Sequence, residues 1–283
     1  LEVVLLLEEM GRVLLPEPFI ASVGVAVPLI LALGGEAEHR RWLPAIAAGE
    51  CVATLAIAEA GWRDLYGVPA LHAEGGGWLT GTKTFVPFAA AADLLLVAVA
   101  GPSLVAIERG AAGLECAPLA TPGGDPLHEV RFTGAHAAPL GAPGAAGAAL
   151  ARALDRGAIG TLAFMVGAAE RTLEMTVAHA GTRVQFGRPI GTFQAVAHRC
   201  VDMRSDIDAL RYLVYQAAWA VDAGGDAALA IAAAQAYGGP ALRRIFMHAH
   251  QVHGAIGFST EHDLHLFTRR AKAVELVWGG SAG

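Results

Sequence analysis

The sequence predicts an α+β chain in three parts: a partial helical domain over residues 1–50, a small antiparallel β-domain over 51–145 and an antiparallel four-helix bundle over 146–283. Three observations predict it. Near the start, Leu5, Leu6, Met10, Val13 and Leu14 recur at helical spacing. The middle breaks into short apolar runs separated by Gly and Pro. The last half reads as long Ala- and Leu-rich stretches with short connections.

In chain order, the first helix ends at Gly11 or at Pro16-Glu17-Pro18, where proline cannot continue it. A second covers Ala21 to Leu33 and stops at Gly34-Gly35. A third starts near Glu36 and leads to Pro44. Strands are expected within Cys51–Ala58, Trp78–Val86, Leu94–Val99, Leu104–Ile107 and Val130–Phe132. The middle holds no Gly-rich strand–turn–helix unit, which excludes a Rossmann domain. Bundle helices are expected near 148–180, 192–223, 226–252 and 260–277, with Asp226 a candidate N-cap after the Asp222–Asp226 turn.

Composition excludes several classes. Hydrophobic residues make up 54% and charged residues 16%, enough apolar content for a large core. Apolar runs are interrupted before bilayer length, so no transmembrane helix is expected. The start carries no signal-peptide pattern. It lacks an initiator Met and opens inside a helical pattern, so an N-terminal piece is expected to precede residue 1. A formal charge of −6 without a Lys/Arg run argues against nucleic-acid binding. Cys51, Cys116 and Cys200 are odd in number and scattered, as expected for reduced thiols in a cytoplasmic protein.

Two stretches carry chemistry. Arg183-Val184-Gln185-Phe186-Gly187-Arg188-Pro189-Ile190-Gly191, then Phe193-Gln194, makes a turn between two helices, because Gly187, Pro189 and Gly191 do not sit comfortably in one. It sets a guanidinium, a carboxamide and an aromatic ring side by side, which suits a planar ligand bearing phosphate. Taken alone it is equally a helix hairpin with a solvated arginine. The second stretch is Gln251-Val252-His253-Gly254-Ala255-Ile256-Gly257-Phe258, followed by Glu261 and by Arg269-Arg270-Ala271-Lys272. The histidines cluster at His248, His250, His253, His262 and His265 but lack His-Glu-x-x-His spacing and a Cys partner. No metal site is expected; His248 and His250 fall on different helix faces, while His262 and His265 can share one.

Together the two stretches resemble the acyl-CoA dehydrogenase family, over essentially the whole chain. The resemblance implies FAD as cofactor, an acyl-CoA substrate, an electron-transfer flavoprotein as acceptor and a tetramer. It implies that Arg183 and Phe186 meet the adenosine diphosphate part of a flavin bound mainly by a neighbouring subunit. Gln251 and Gly254 would meet the pyrophosphate, and Gln194 would stand behind the adenine. In the β-domain it implies flavin contacts at Ala58, where the family commonly has Thr, and at Phe85, an aromatic for stacking on the flavin. Pro87 replaces a hydroxyl residue, and Trp62-Arg63-Asp64 departs from the family's Gly-Ser-Asp.

The catalytic carboxylate is missing from both of the family's usual places. One falls on Trp278, or on Gly279 with a one-residue shift, and the other on Gly157. Glu275 and Asp155 are the nearest carboxylate candidates in sequence, with surface charges as the plain alternative. The chain resembles actinobacterial members that form heterotetramers, in which a base-less subunit pairs with a catalytic one, often on CoA esters of steroids. The leading readings are a subunit sharing its active site with a partner and a non-catalytic subunit that completes an FAD site; a flavin used for something other than dehydrogenation and a plain helical scaffold stay open beside them.

Overall fold

Two four-stranded sheets form the core of the β-rich part, and continuous apolar runs explain why. The computed structural model describes residues 1–62, 67, 69–224 and 226–277, with 275–277 described by backbone alone. The sheets belong to one compact unit, Glu17–Thr121 with Asp125–Gly157; Leu1–Pro16, Pro122–Gly124 and the chain from Ala158 onward make the other. The first fifty residues are therefore divided between two units.

In the β-rich unit, strands β1 (Ala53–Ala56), β4 (Leu94–Val99), β5 (Ser103–Glu108) and β8 (Ala138–Leu140) form one sheet in the order β1-β4-β5-β8. Strands β2 (Ala73–Glu74), β3 (Trp78–Pro87), β7 (Leu127–His136) and β6 (Leu114–Pro118) form the other in the order β2-β3-β7-β6. Pairing is antiparallel except for β1 with β4, which corrects the expectation of wholly antiparallel strands. The chain between β1 and β4 contains two further strands, long enough for the crossover a parallel pair requires. Leu95, Val97, Val105 and Ile107 of one sheet and Leu79, Val130 and Phe132 of the other share one buried cluster.

The helices of this unit start with a π-helical segment, Ile20–Ala26, that runs into α2 (Val27–Leu33). A single regular helix was the simpler expectation. Pro28 has no N–H to give, and the wide turn before it lets Val27 N–H bond the Ser22 carbonyl. Helix α3 (Glu36–Ala47) starts where Glu38 accepts the Gly35 N–H at 2.9 Å and continues past Pro44. The buried Ser22 hydroxyl donates to the Ala53 carbonyl at 2.8 Å, tying the helices to β1.

The other unit contains α1 (Glu2–Arg12), most of α4 (Gly147–Thr182), α5 (Gln194–Asp222), α6 (Ala228–His253) and α7 (Leu264–Val277). The four long helices lie within a few residues of their expected bounds. Asp226 accepts the Ala228 N–H at 3.0 Å, yet the N-cap position itself is Ala227. Gly11 lies inside α1 and does not end it. A Cβ on Gly11 would stand 1.8 Å from the Phe164 carbonyl oxygen, and one on Gly167 would stand 1.7 Å from that of Glu8. The two glycines let the backbones of α1 and α4 touch. Charges lock the crossing: Glu8 accepts from Arg211 Nε and Tyr215 Oη, each at 2.7 Å, and Glu170 accepts from Arg211 at 2.9 Å and from Arg204. Among the described residues, no helix is long and apolar enough to cross a membrane.

Candidate functional site

Strand β3 alternates, with Leu79, Lys83 and Val86 buried between more exposed neighbours. The alternation breaks at a bulge. Lys83 pairs with Val130 and Val86 with His128, so Thr84 and Phe85 together oppose Glu129. Phe85 sits there at φ 53°, in the left-handed region, and is 60% exposed. The bulge also turns the Thr84 N–H out of the ladder, and it donates to the Ala58 carbonyl at 2.9 Å. The two segments expected to face a flavin, around Ala58 and Phe85, are thus hydrogen-bonded to each other.

Below them lies a group that sequence reasoning missed. The Lys83 side chain is fully buried, and its Nζ donates to the Ile57 carbonyl at 3.0 Å and to Glu59 Oε1 at 2.5 Å. Glu59 also accepts the backbone N–H groups of Ala70 and Leu71. Burial pushes the Glu59 carboxyl up, but the hydrogen bond from Lys83 and those from the backbone outweigh it and hold the carboxyl below its ordinary value. Burial pulls the Lys83 ammonium down against the opposing pull of Glu59. A lysine in a strand reads as a solvent-facing residue. The available signal was its even spacing from Leu79, which puts it on the inward face.

In the helical unit, Val184–Gln185 and Arg188–Pro189 form a two-residue hairpin, β9 and β10, with Gln185 opposite Arg188. Its loop is Phe186 at φ 52° and Gly187 at φ 76°, a type I′ arrangement that places an aromatic side chain where glycine or asparagine is normal. A side chain in this region costs about 1–2 kcal/mol. Phe186 recovers little by packing, since it is 93% exposed. It meets Phe193 edge-on at 6.1 Å, and the Arg188 guanidinium lies 4.2 Å over the Phe193 ring. Arg183 continues the last turn of α4, its N–H bonded to the His179 carbonyl, and its side chain is exposed, as is that of Gln194 at the start of α5.

Gln251 is exposed in the last turn of α6, and Gly254 ends that helix at φ 62° with open space where a Cβ would stand. This end of α6 is joined to the end of α4 by imidazoles. His179 stacks on His253 with ring centroids 4.6 Å apart, and His262 meets His253 edge-on at 4.8 Å. His253 is 5% exposed, with Nδ1 2.9 Å from the Ala249 carbonyl. His250, one turn earlier, has its Nε2 2.7 Å from Thr268 Oγ1 and its ring stacked on Phe258, while His248 bonds Arg199. Burial lowers His179, His250 and His253, and neighbouring cations push the same way. The stack was not legible in sequence because His179 and His253 lie on different helices.

The helical face therefore combines an exposed guanidinium, two exposed carboxamides, an exposed aromatic ring and an open glycine cap. That donor set fits an anionic ligand with planar bases, and the exposed ring at Phe85 fits a planar aromatic ring system. Asp155 is half-buried in α4 and already engaged with neighbouring groups, and Gly157 is buried. The side chain of Glu275 lies outside the described residues, as do Trp278, Gly279 and the Arg63-Asp64 pair.

Fold and exposed donor set together define a class: a sheet-and-bundle protein with a helical face that suits a nucleotide-type ligand. Comparison with known proteins makes this specific. Residues 146–282 match the model of the acyl-CoA dehydrogenase C-terminal domain. Over 298 aligned residues the chain is 31% identical to acyl-CoA dehydrogenase FadE27 of Mycobacterium tuberculosis, covering 100% of this chain and 78% of that protein. It superposes with TM-score 0.89 and 30% identity on the ChsE4-ChsE5 complex from Mycobacterium tuberculosis, covering 100% of this chain and 77% of that one. The same TM-score of 0.89 and 30% identity relate it to a variant of the Tcur3481-Tcur3483 steroid ACAD, over 99% and 77% of the two chains. The chain belongs to the acyl-CoA dehydrogenase family.

Proposed function

We propose that the chain is an FAD-binding subunit of an acyl-CoA dehydrogenase-type oxidoreductase that desaturates the α,β bond of a steroid-derived acyl-CoA. FAD, when bound, accepts the hydride leaving the β-carbon. The chain's own residues supply the surroundings. Arg183 neutralises phosphate charge, Phe186, Gln194 and Gln251 hold the nucleotide end, and open backbone at Gly254 admits the pyrophosphate. Those residues meet a flavin bound mainly by a neighbouring subunit, while Ala58 and Phe85 of the β-rich unit line the ring of a flavin bound there. An electron-transfer flavoprotein is the proposed electron acceptor.

The observation that carries this reading is the convergence of the two motifs: His179, one turn before Arg183, stacks on His253, between Gln251 and Gly254. Substrate class and pairing rest on the relatives, a steroid ACAD and a two-component complex. We assign the α-proton to a carboxylate of a partner subunit, because Trp278 and Gly157 stand at the family's two base positions in the sequence. The same fact favours the second reading, a subunit that completes an FAD site without doing chemistry. Co-expression with the nearest paralogue separates the two. Dehydrogenase activity in the pair, lost when Phe85 or Ala58 of this chain is replaced by Asp, supports shared catalysis. Activity indifferent to those changes supports the non-catalytic role, and flavin absent from chain and pair alike rejects both.

A further inference from the structure

We infer that His179, His253 and His262 are positioning residues whose neutral stack holds the α4 end carrying Arg183 against the α6 end carrying Gln251 and Gly254. The inference rests on the proposed FAD site and deepens it by adding an acid-sensitive support.

Three elements contribute one ring each: α4, the last turn of α6 and the segment leading into α7. His253 is the middle ring. Its Nδ1 lies 2.9 Å from a carbonyl oxygen and so must carry the proton, which leaves Nε2 as a bare acceptor. That Nε2 is buried and has no hydrogen-bond partner among the described residues. Protonation would turn it into a buried N–H donor without an acceptor, an arrangement proteins avoid. The charge would also lie against His179 and His262 at centroid distances of 4.6 and 4.8 Å. Among the described residues, the charged groups that act on the stack are all basic: Arg183 and His262 act on His179, His179, His250 and His262 act on His253, and His262 and His265 act on His250. Burial and these cations favour the neutral rings, and on His253 they outweigh the Ala249 carbonyl, which favours the charged form. The stack is therefore stable while neutral and comes apart when a ring is charged. Opening it separates Arg183, proposed to neutralise phosphate charge, from Gln251, proposed to hold the nucleotide end.

The test uses the flavin-loaded protein, co-expressed with its paralogue if that is required for loading. Flavin retained after gel filtration is read from pH 8 to pH 5 for wild type, His253→Phe and His179→Phe. Phenylalanine keeps an aromatic ring in the stack and removes its titrating nitrogens. Thermal midpoints of the same samples without added FAD are followed in parallel, as a readout that needs no flavin. The expected result is release from wild type as pH falls below about 6.5, the ordinary imidazole value. The Phe variants should retain flavin to lower pH and show a smaller acid loss of thermal midpoint. Equal acid profiles in wild type and in both variants would overturn this inference and leave the FAD assignment intact. Flavin absent at every pH would overturn the assignment and the inference with it. If one variant fails to fold, the other decides.

Discussion

Phe85 and Phe186, both exposed, occupy the same region of backbone conformation and are held there by different means. Phe85 rides on a bulge in the middle of a sheet, above a buried ion pair between Lys83 and Glu59. Phe186 rides on a two-residue hairpin, steadied by an edge contact to Phe193. Both positions spend stability on presenting a ring to solvent, which is the behaviour expected of a ligand contact. The difference lies in stiffness. The β-domain wall is fixed from below by its core, whereas the bundle face depends on surface contacts and on a stack of imidazoles. The first should resist mutation and mild acid until its core fails; the second should respond to both.

The largest effect expected from breaking this contrast is at Lys83. Lys83→Met leaves the Glu59 carboxylate part-buried without its cation and should cost about 3–5 kcal/mol, read as a fall in the urea unfolding midpoint. Lys83→Met combined with Glu59→Leu should recover part of that loss, because no charge is then left alone. On the bundle face, Arg183→Ala should leave the urea midpoint within experimental scatter. It should weaken FAD binding by about tenfold or more, the worth of a hydrogen bond to a charged group, measured by flavin titration.

Acid sharpens the contrast further. His179, His250 and His253 have folded values below the ordinary imidazole value, so the unfolded chain takes up protons first. Their stability contribution is whole above about pH 6.5 and is lost as pH falls below it. Glu59 and Glu170 have lowered carboxyl values, so their contribution persists until pH falls through the carboxylate range, near about 4. Hydrogen exchange at pH 5.5 should therefore show faster opening at the end of α6 and unchanged protection in β3. The smallest effect concerns the turn itself. Phe186→Gly removes a side chain that is almost wholly exposed and relieves the left-handed strain, so it should raise stability by up to about 1 kcal/mol in urea unfolding. Phe85→Gly should gain less, because its less exposed ring also loses packing.

The long elements were legible in the sequence because each carries its own signal. The bundle helices repeat small and apolar residues for many turns, and Leu94–Val99 is a continuous apolar run that becomes a strand buried along its whole length. The motifs around Arg183 and Gln251 were recognisable in the sequence, and the helix ends that carry them are joined by the His179–His253 stack. What stayed hidden depends on contacts between distant residues. Lys83 is charged, so only its register with Leu79 betrays that it points inward. The His179–His253 contact joins two helices, and nothing local to either residue encodes it. The parallel pairing of β1 with β4 depends on the whole crossover between them, and Gly11 looked like a helix end because the carbonyl of Phe164 is invisible in sequence.

The measurement that tests the central claim most directly is the visible spectrum of the purified chain, alone and co-expressed with its nearest paralogue, with Arg183→Ala/Gln251→Ala as the control. The account predicts a flavin spectrum in the pair, diminished in the double variant while the pair remains assembled. A flavin spectrum of equal strength in wild type and double variant, or no flavin in either preparation, would contradict it.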